Sequence, residues 1–250
     1  MPTGTIGGMT RRAAVPILMY HNIGAEKARS SGTCLNVPAR DFARQMRLLA
    51  RLGYRAVTFR EAVIGLRGEG PLPPRPFCIT LDDGFRCAAD HALAVLRPLG
   101  WSPTVFVASD WLGCIYAPGG KPANETDRVM DAEELRSLVA QGWEIAGHTR
   151  SHALLGSLSD AAASDEIIGG ADDLSTVIGE RPSTFCYPGG SFNDRTPLLV
   201  REAGMHGACT TRSGLARAGM DLHLLPRIKP ATRDGMAGFL YRFFVRPWLP

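Results

Sequence analysis

The chain has 250 residues, of which 45% are hydrophobic and 21% are charged, and its formal net charge is +4 at pH 7. This length fits one large α/β domain or two small ones, and the composition allows a sizeable core without disulfides. The charge is too small, and the Lys and Arg residues are too scattered, to indicate nucleic-acid binding. No stretch approaches the roughly 18 apolar residues of a membrane span.

The cysteines and the first residues bear on the compartment. The six cysteines form no C-x-x-C pair, and Cys78, Cys186 and Cys209 lie in apolar runs, where free cysteine behaves as a small buried hydrophobe. Residues 1–24 hold no apolar run long enough for a signal peptide. We therefore expect a cytoplasmic protein in a reducing compartment, with an oxidising one left open.

Strand-like and helical patterns alternate along the chain. A strand over residues 16–20 is followed by a helix over 39–52, a strand over 55–57, and a helix opened by a capping box at Thr58 and Glu61. Next come a strand over 77–81, a helix over 87–97 and a strand over 104–108. Asp131 and Glu134 cap a further helix that ends at Gly142, and a strand over 143–146 leads to a helix over 159–178. The last predicted units are a strand over 184–187, a helix over 196–203 and a strand over 208–211.

This order of elements predicts the fold class. Strand–helix units joined by short loops imply a mainly parallel sheet with helices outside. About seven such units in a chain of this length favour an α/β fold of the (β/α) barrel type over an open sheet. Without an internal repeat or a low-complexity linker, we expect a single domain over residues 1–250.

Polar residues follow directly after three of the predicted strands. Asp82 and Asp83 follow one strand, His148 and His152 follow another, and a Pro-Gly-Gly turn with Gly189 follows a third. In a parallel barrel the carboxyl ends of the strands meet on one face, where active sites are built. We therefore expect these residues to converge.

The aspartate and histidine pairs together indicate a metal site. Asp-Asp-Gly alone favours an ordinary Asp-Gly turn, although Gly84 can direct both carboxylates to one pocket. His148 and His152 have the i, i+4 spacing by which a helical turn presents two imidazoles to one divalent ion. An Asp-His-His set leaves open positions for water and substrate, which is typical of a catalytic metal site.

These motifs carry a resemblance to a known family. Thr80-Leu81-Asp82-Asp83-Gly84 and His148-Thr149-Arg150-Ser151-His152 resemble the first two motifs of the polysaccharide deacetylases of the NodB-homology, carbohydrate esterase 4 type. The resemblance covers residues 16–229 and implies a distorted (β/α) barrel of about seven units. It implies that Asp82 is the general base and that Asp83, His148 and His152 bind the metal, most often Zn²⁺, with Co²⁺, Ni²⁺ or Fe²⁺ as alternatives. The implied reaction is hydrolysis of an N-acyl group, most often N-acetyl, on an amino sugar.

The third motif and the general acid match the family less closely. Residues 185–190 resemble the third motif, but Cys186 stands where many members carry an arginine that steadies the base. The backbone N–H of Gly189 is the candidate oxyanion donor. The chain has no clear C-terminal Leu-x-x-His motif, whereas residues 16–21 resemble the opening of the exopolysaccharide (poly-N-acetylglucosamine) deacetylase subgroup, in which an N-terminal histidine can be the acid. We favour His21 over His223, and expect it on the side of the site away from Asp82.

Two further segments are candidates for substrate contact. Residues 112–130 form a connection long enough to be a binding lid, and Trp111, Tyr116 and Tyr187 are assigned to sugar binding because flat rings suit pyranose faces. Packing under the lid is the alternative for at least one ring. Residues 235–250 mix aromatic residues with arginines and predict either a helix on the barrel exterior or peripheral contact with a membrane or lipid-linked glycan.

Two other functions stay open from the sequence. A deacylase of a lipid-linked sugar or other small amide would use the same motifs. A catalytically silent carbohydrate-binding barrel would explain the missing arginine, although such a protein has no need of a free base beside a metal site.

Overall fold

The computed structural model describes residues 13–24, 36–116, 127–230 and 235–248. Parallel strands form a nearly closed barrel around an apolar interior, and helices cover its outer surface. In chain order the strands are β1 Ala14–Val15, β2 Ile17–Tyr20, β3 Asn22–Gly24, β4 Asn36–Pro38, β5 Arg55–Val57, β6 Pro76–Leu81, β7 Thr104–Val107, β8 Glu144–Gly147, β9 Thr184–Cys186, β10 Gly207–Ser213, β11 Ala216–Arg217 and β12 Leu225–Arg227. The α-helices are α1 Ala39–Arg51, α2 Phe59–Arg67, α3 Arg86–Leu96, α4 Ala132–Ala140, α5 Asp160–Ile178, α6 Thr196–Glu202 and α7 Gly235–Leu240.

Seven strands follow one another around the barrel in the order β2, β6, β7, β8, β9, β10, β12, and each neighbouring pair is parallel. β12 returns to β2 through a parallel bridge between Leu18 and Ile228. At that seam Met19 donates its N–H to the carbonyl of Ile228, and Ile228 donates to the carbonyl of Ile17. The predicted α/β barrel of about seven units is confirmed.

The distortion of the barrel comes from β5. β5 pairs with the first half of β6, whereas β7 pairs with its last two residues, so both lie along the same edge of β6. α2 follows β5, and its capping box at Thr58 and Glu61 is present as predicted. The N–H of Phe59 donates to Thr104, and the N–H of Arg60 donates to the buried carboxyl of Glu144. The start of α2 therefore closes the end of the barrel from which the strands begin.

Most predicted element boundaries agree with the structure to within one or two residues, because the glycine and capping signals are local. Some strands differ from the prediction. The strand β12 was not predicted, and β10 extends to Ser213. The two-stranded pairs β1–β11 and β3–β4 were not predicted either. The lid prediction falls mostly on residues 117–126, which lie outside the described residues, as does Cys34.

The C-terminal segment packs on the barrel exterior, as one of the two alternatives predicted. α7 continues into a π-helical turn over Tyr241–Val245, and Phe239 and Phe243 are fully buried. Phe243 makes edge contacts with Tyr54 and Phe77. Across the described ranges, no helix combines the length and apolarity required to cross a bilayer.

Candidate active site

The polar residues predicted from the sequence do converge where the strands end. Asp82 and Asp83 follow β6, His148 follows β8 and His21 follows β2. The carboxylates are buried, with 2% and 7% of their surfaces exposed, and His148 is also buried. Buried carboxylates are stable only when they are paired or bind a cation, so the partners of each one decide what the site can do.

Asp83, His148 and His152 form a set that fits a divalent metal. The Oδ1 atom of Asp83 lies 3.3 Å from Nε2 of His148 and 3.4 Å from Nε2 of His152. A tetrahedral ion with ligand bonds of about 2.0–2.1 Å holds neighbouring ligand atoms about 3.3 Å apart. Oδ1 of Asp83 is buried without a hydrogen-bond partner, which is the state expected of an atom that binds a cation.

The tautomer of His148 supports the same assignment. Its Nδ1 lies 2.7 Å from the carbonyl oxygen of Cys186, and a carbonyl can only accept, so Nδ1 carries the proton. The lone pair of Nε2 therefore points towards Asp83. Metal-binding histidines are held in this way, with the remote nitrogen donating to a carbonyl or carboxylate.

The histidine pair does not lie on a helical turn, and that part of the prediction was wrong. Residues 148–154 form a loop in which Thr149 and His152 both have φ of 63°, in the left-handed region. Asp83 is left-handed too, with φ of 70°. Non-glycine residues rarely adopt this conformation. The two loops that carry the three candidate ligands are therefore held in place by surrounding contacts.

Asp82 is held by an arginine that the sequence analysis did not identify. Arg227, at the end of β12, donates from Nη1 to Oδ1 of Asp82 at 2.6 Å and from Nη2 to Oδ2 at 2.7 Å. It is buried, and it also donates to Thr80 and to the carbonyl of Thr210. Burial raises the pKa of Asp82, but the charge and hydrogen bonds of Arg227 overcome that effect and leave the pKa below its ordinary value. Asp82 is therefore ionised at neutral pH, as a general base must be.

His21 reaches the same pocket, but in a different place from the one predicted. Its Nε2 lies 3.7 Å from Oδ2 of Asp82, beside the base rather than on the side away from it. Burial lowers the pKa of His21, while the charges of Asp82 and Asp83 oppose that change. Because β2 and β6 are neighbours, their first residues beyond the strand ends are brought side by side.

His223 lies away from this pocket. It precedes β12, whereas Asp82 follows β6, so the two residues flank opposite ends of the parallel barrel. Its Nε2 lies 2.9 Å from the carbonyl oxygen of Met205, to which it donates, and Nδ1 lies near Arg201 and Asp221. This placement agrees with the preference for His21 over His223 as the acid candidate.

Comparison with known proteins gives the family. The family model described as polysaccharide deacetylase matches residues 69–208, which is more than half of the chain. The chain belongs to the polysaccharide deacetylase family. It is therefore a hydrolase of the type that acts on N-acetyl amide bonds of carbohydrates.

Two curated relatives agree with this family. The chain is 26% identical over 233 residues to the putative polysaccharide deacetylase YxkH of Bacillus subtilis, covering 93% of this chain and 76% of that protein. It is 23% identical over 256 residues to the poly-beta-1,6-N-acetyl-D-glucosamine N-deacetylase of Escherichia coli. That alignment covers 89% of this chain but 37% of the relative, so the chain spans little more than a third of that protein.

Solved structures share the fold. The Streptococcus pyogenes deacetylase PplD in complex with acetate superposes with a TM-score of 0.80 at 21% identity, covering 93% of this chain and 99% of that one. IcaB from Ammonifex degensii gives a TM-score of 0.74 at 22% identity, covering 90% and 95%. The NodB-type barrel implied by the sequence is confirmed by these superpositions.

The arginine that many polysaccharide deacetylases carry in the third motif is absent here, and Arg227 from another strand takes its place beside Asp82. Sγ of Cys186 lies 3.2 Å from Nη2 of Arg227 and 3.8 Å from Oδ2 of Asp82. The small thiol leaves room for a guanidinium that enters from β12 instead of β9. The signal in the sequence was a single arginine inside the apolar run of residues 222–228, where an unpaired charge would be costly.

The aromatic residues assigned to sugar binding have other partners. The Trp111 ring stacks on the imidazole of His152 at 4.5 Å and lies 4.4 Å from the ring of Tyr116. Trp111 and Tyr116 are partly exposed, so their contact with a sugar stays a prediction. The assignment of Tyr187 was wrong, because its side chain is fully buried and its hydroxyl donates to the carbonyl of His223.

Gly189 lies in the turn that follows β9. The N–H groups of Gly190 and Ser191 close this turn by donating to Tyr187 and Pro188, and neither bond uses the N–H of Gly189. Gly189 has φ of 59°, a conformation that glycine adopts at no steric cost. Its role as oxyanion donor stays a prediction.

Proposed function

We propose that this polysaccharide deacetylase is a divalent-metal-dependent enzyme that removes N-acetyl groups from the amino sugars of a polysaccharide. One arrangement carries the proposal: an ionised, arginine-held Asp82 stands beside the Asp83–His148–His152 set. A base next to a metal site suits metal-assisted amide hydrolysis and is superfluous for carbohydrate binding alone. The relative from Escherichia coli suggests β-1,6-linked N-acetylglucosamine as the first substrate to test.

The metal and the protein residues have separate tasks. A divalent ion held by Asp83, His148 and His152 would supply a water of lowered pKa and polarise the acetyl carbonyl. Asp82 would accept the proton of the attacking water, since its carboxylate is ionised and adjoins the candidate ligand Asp83. The N–H of Gly189 would donate to the oxyanion. His21, once protonated, would give its proton to the leaving amine.

The test is acetate release by the full chain, purified, stripped with chelator and reloaded with Zn²⁺, Co²⁺, Ni²⁺ or Fe²⁺ in turn. We expect acetate and free amine from N-acetylglucosamine oligomers only with metal present, and about one tightly held ion per chain. His148→Ala should lose both the ion and the activity. Oligomer binding without acetate release under every metal would instead support the carbohydrate-binding barrel.

A lipid-linked glycan is a second candidate substrate because of the C-terminal surface. Leu240, Tyr241 and Val245 are 40–50% exposed, and Arg242 and Arg246 lie on the same segment. Exposed apolar side chains interspersed with arginines suit an anionic lipid surface. Co-sedimentation of the chain with phosphatidylglycerol vesicles, but not with phosphatidylcholine vesicles, would favour this substrate. Equal recovery with both would remove the argument for it.

A further inference from the structure

The loop between the two histidine ligands is held by one carboxylate of α5. Oε2 of Glu166 accepts the backbone N–H of Arg150 at 3.0 Å and that of Ser151 at 2.9 Å. Oε1 of the same side chain accepts the Ser151 hydroxyl at 2.7 Å. Both N–H donors lie between His148 and His152 in the sequence. Glu166 therefore binds the connection through which one ligand is placed relative to the other.

α5 can reach the loop because two glycines remove side chains from the contact. A Cβ atom on Gly170 would lie 2.7 Å from the carbonyl carbon and oxygen of Thr149, and one on Gly169 would collide with the guanidinium of Arg150. Contacts this close require backbone to move. The helix and the loop are thus packed backbone against backbone, and Glu166 lies one turn before that contact.

The loop needs such an anchor because its conformation is unfavourable by itself. Thr149 and His152 both have φ of 63°, and Thr149 is β-branched, which makes that region costlier still. Such strained residues persist only when the surroundings fix them. Asp173 adds a second hold by accepting from Nε of Arg150 at 3.0 Å and from the Ser109 hydroxyl at 2.9 Å. Unlike Glu166, it holds a side chain of the loop and not its backbone.

We infer that Glu166 is a positioning residue for the metal centre. By fixing the N–H groups of Arg150 and Ser151, it sets where His152 places Nε2 relative to Asp83. This inference rests on the proposed metal site, of which His152 is the most exposed ligand, at 22% of its side chain. Groups that orient metal ligands typically contribute about 10–100-fold to metal affinity.

The test measures metal affinity directly, by competition of the full chain with a chromophoric chelator for Zn²⁺ and by the visible absorption of the Co²⁺ form. Glu166→Ala should weaken binding by about 10–100-fold and change the Co²⁺ spectrum. Glu166→Gln should retain most of the affinity, because its amide oxygen can accept both N–H groups and its nitrogen can face the Ser151 hydroxyl. Asp165→Ala is the matched control, since Asp165 is exposed and pairs with the side chain of Arg150 rather than with the loop backbone. It should leave affinity and spectrum unchanged.

The outcomes separate this inference from the metal site itself. If His148→Ala loses the ion while a folded Glu166→Ala binds it with wild-type affinity, the positioning role is refuted and the metal site stands. If His148→Ala retains the ion, the metal site is refuted first. Should Glu166→Ala fail to fold, Glu166→Asp decides the question, because its shorter side chain cannot hold both N–H groups and should also weaken binding. Wild-type affinity in Glu166→Asp would overturn the inference.

Discussion

Replacing Arg227 by methionine tests the pair on which the base depends. Methionine has a similar length and suits a buried site, but it removes the charge and both hydrogen bonds that Arg227 donates to Asp82. The substitution leaves a carboxylate of 3% side-chain exposure without its partner. Because the strand β12 and the seam with β2 involve backbone atoms, the barrel itself should remain closed.

The geometry sets the expected magnitude. Both Asp82 oxygens are bonded, at 2.6 and 2.7 Å, and the guanidinium is fully buried. Removing one partner of a buried pair costs about 3–5 kcal/mol, because the remaining charge is left desolvated. The exposed pair between Arg195 and Asp160, at 2.9 Å, gives a matched control. Arg195→Met should destabilise the chain far less than Arg227→Met, because surface pairs are screened by water.

The assay is urea unfolding of chelator-treated protein at neutral pH, for Arg227→Met, Asp82→Asn and the double variant. The double variant has neither charge of this pair left, so we expect a coupling energy of about 2–3 kcal/mol between the two sites. The pKa of Asp82 lies below its unfolded value, so the stability it contributes is present at neutral pH and is lost as pH falls through the folded pKa. The difference between wild type and Arg227→Met should therefore shrink on acidification. A cost below about 1 kcal/mol for Arg227→Met, or strict additivity in the cycle, would refute the reasoning.

Three further outcomes are expected. Asp82→Asn should bind metal normally but lose about 10²–10⁴-fold in turnover, because the general base must be a carboxylate. A loss of metal in this variant would mean that Asp82 is the ligand and Asp83 the base. His21→Ala should lower turnover by about 10²–10⁴-fold with metal retained and flatten the alkaline limb of the pH–rate profile. His223→Ala should leave turnover nearly unchanged. The reverse result would mean that His223, and not His21, is the general acid. Glu144→Ala should lower the free energy of unfolding by about 3 kcal/mol or more, because donors from Arg60, Thr104 and Thr184 lose their acceptor inside the barrel. Burial raises the pKa of Glu144, so the protonated side chain favours the folded state. The free energy of unfolding of Glu144→Gln should therefore rise relative to that of wild type as pH rises through this pKa. A constant difference across pH would contradict this.

The parts of the fold encoded by local signals were predictable from the sequence. Capping boxes at Thr58 and Asp131 mark where two helices begin, and both are present. The convergence of Asp83, His148 and His152 was also predictable, because residues after parallel strands meet on one face whatever the loop geometry. The loop geometry itself was not, since the left-handed Thr149 and His152 depend on contacts from α5 that lie far along the chain.

Long-range contacts account for the predictions that failed. β12 has three residues and interrupts its apolar run with Pro226 and Arg227, so no periodicity marks it as a strand. The role of Arg227 could not be predicted, because its partner Asp82 lies 145 positions away in the sequence and is brought beside it by the fold. Tyr187 ends a predicted strand, at the position where substrate residues often lie, but its side chain points into the core. The single-domain organisation and the cytoplasmic location stay predictions.

The barrel seam has a consequence for synthesis of the chain on the ribosome. β2, which ends just before His21, is among the first strands made, whereas β12, which ends with Arg227, is the last of the barrel. In the described part of the chain, Ile17, Leu18 and Met19 contact Ile228 at the seam between them. Until that last strand has left the exit tunnel, Asp82 has no counter-ion and the barrel has an open edge. Earlier strand–helix units can pack as they emerge, but a nascent chain that stops short of residue 228 lacks the residues that close the barrel. We therefore expect activity to appear only after residue 228 has been made, when β2 and β12 can meet beside the base.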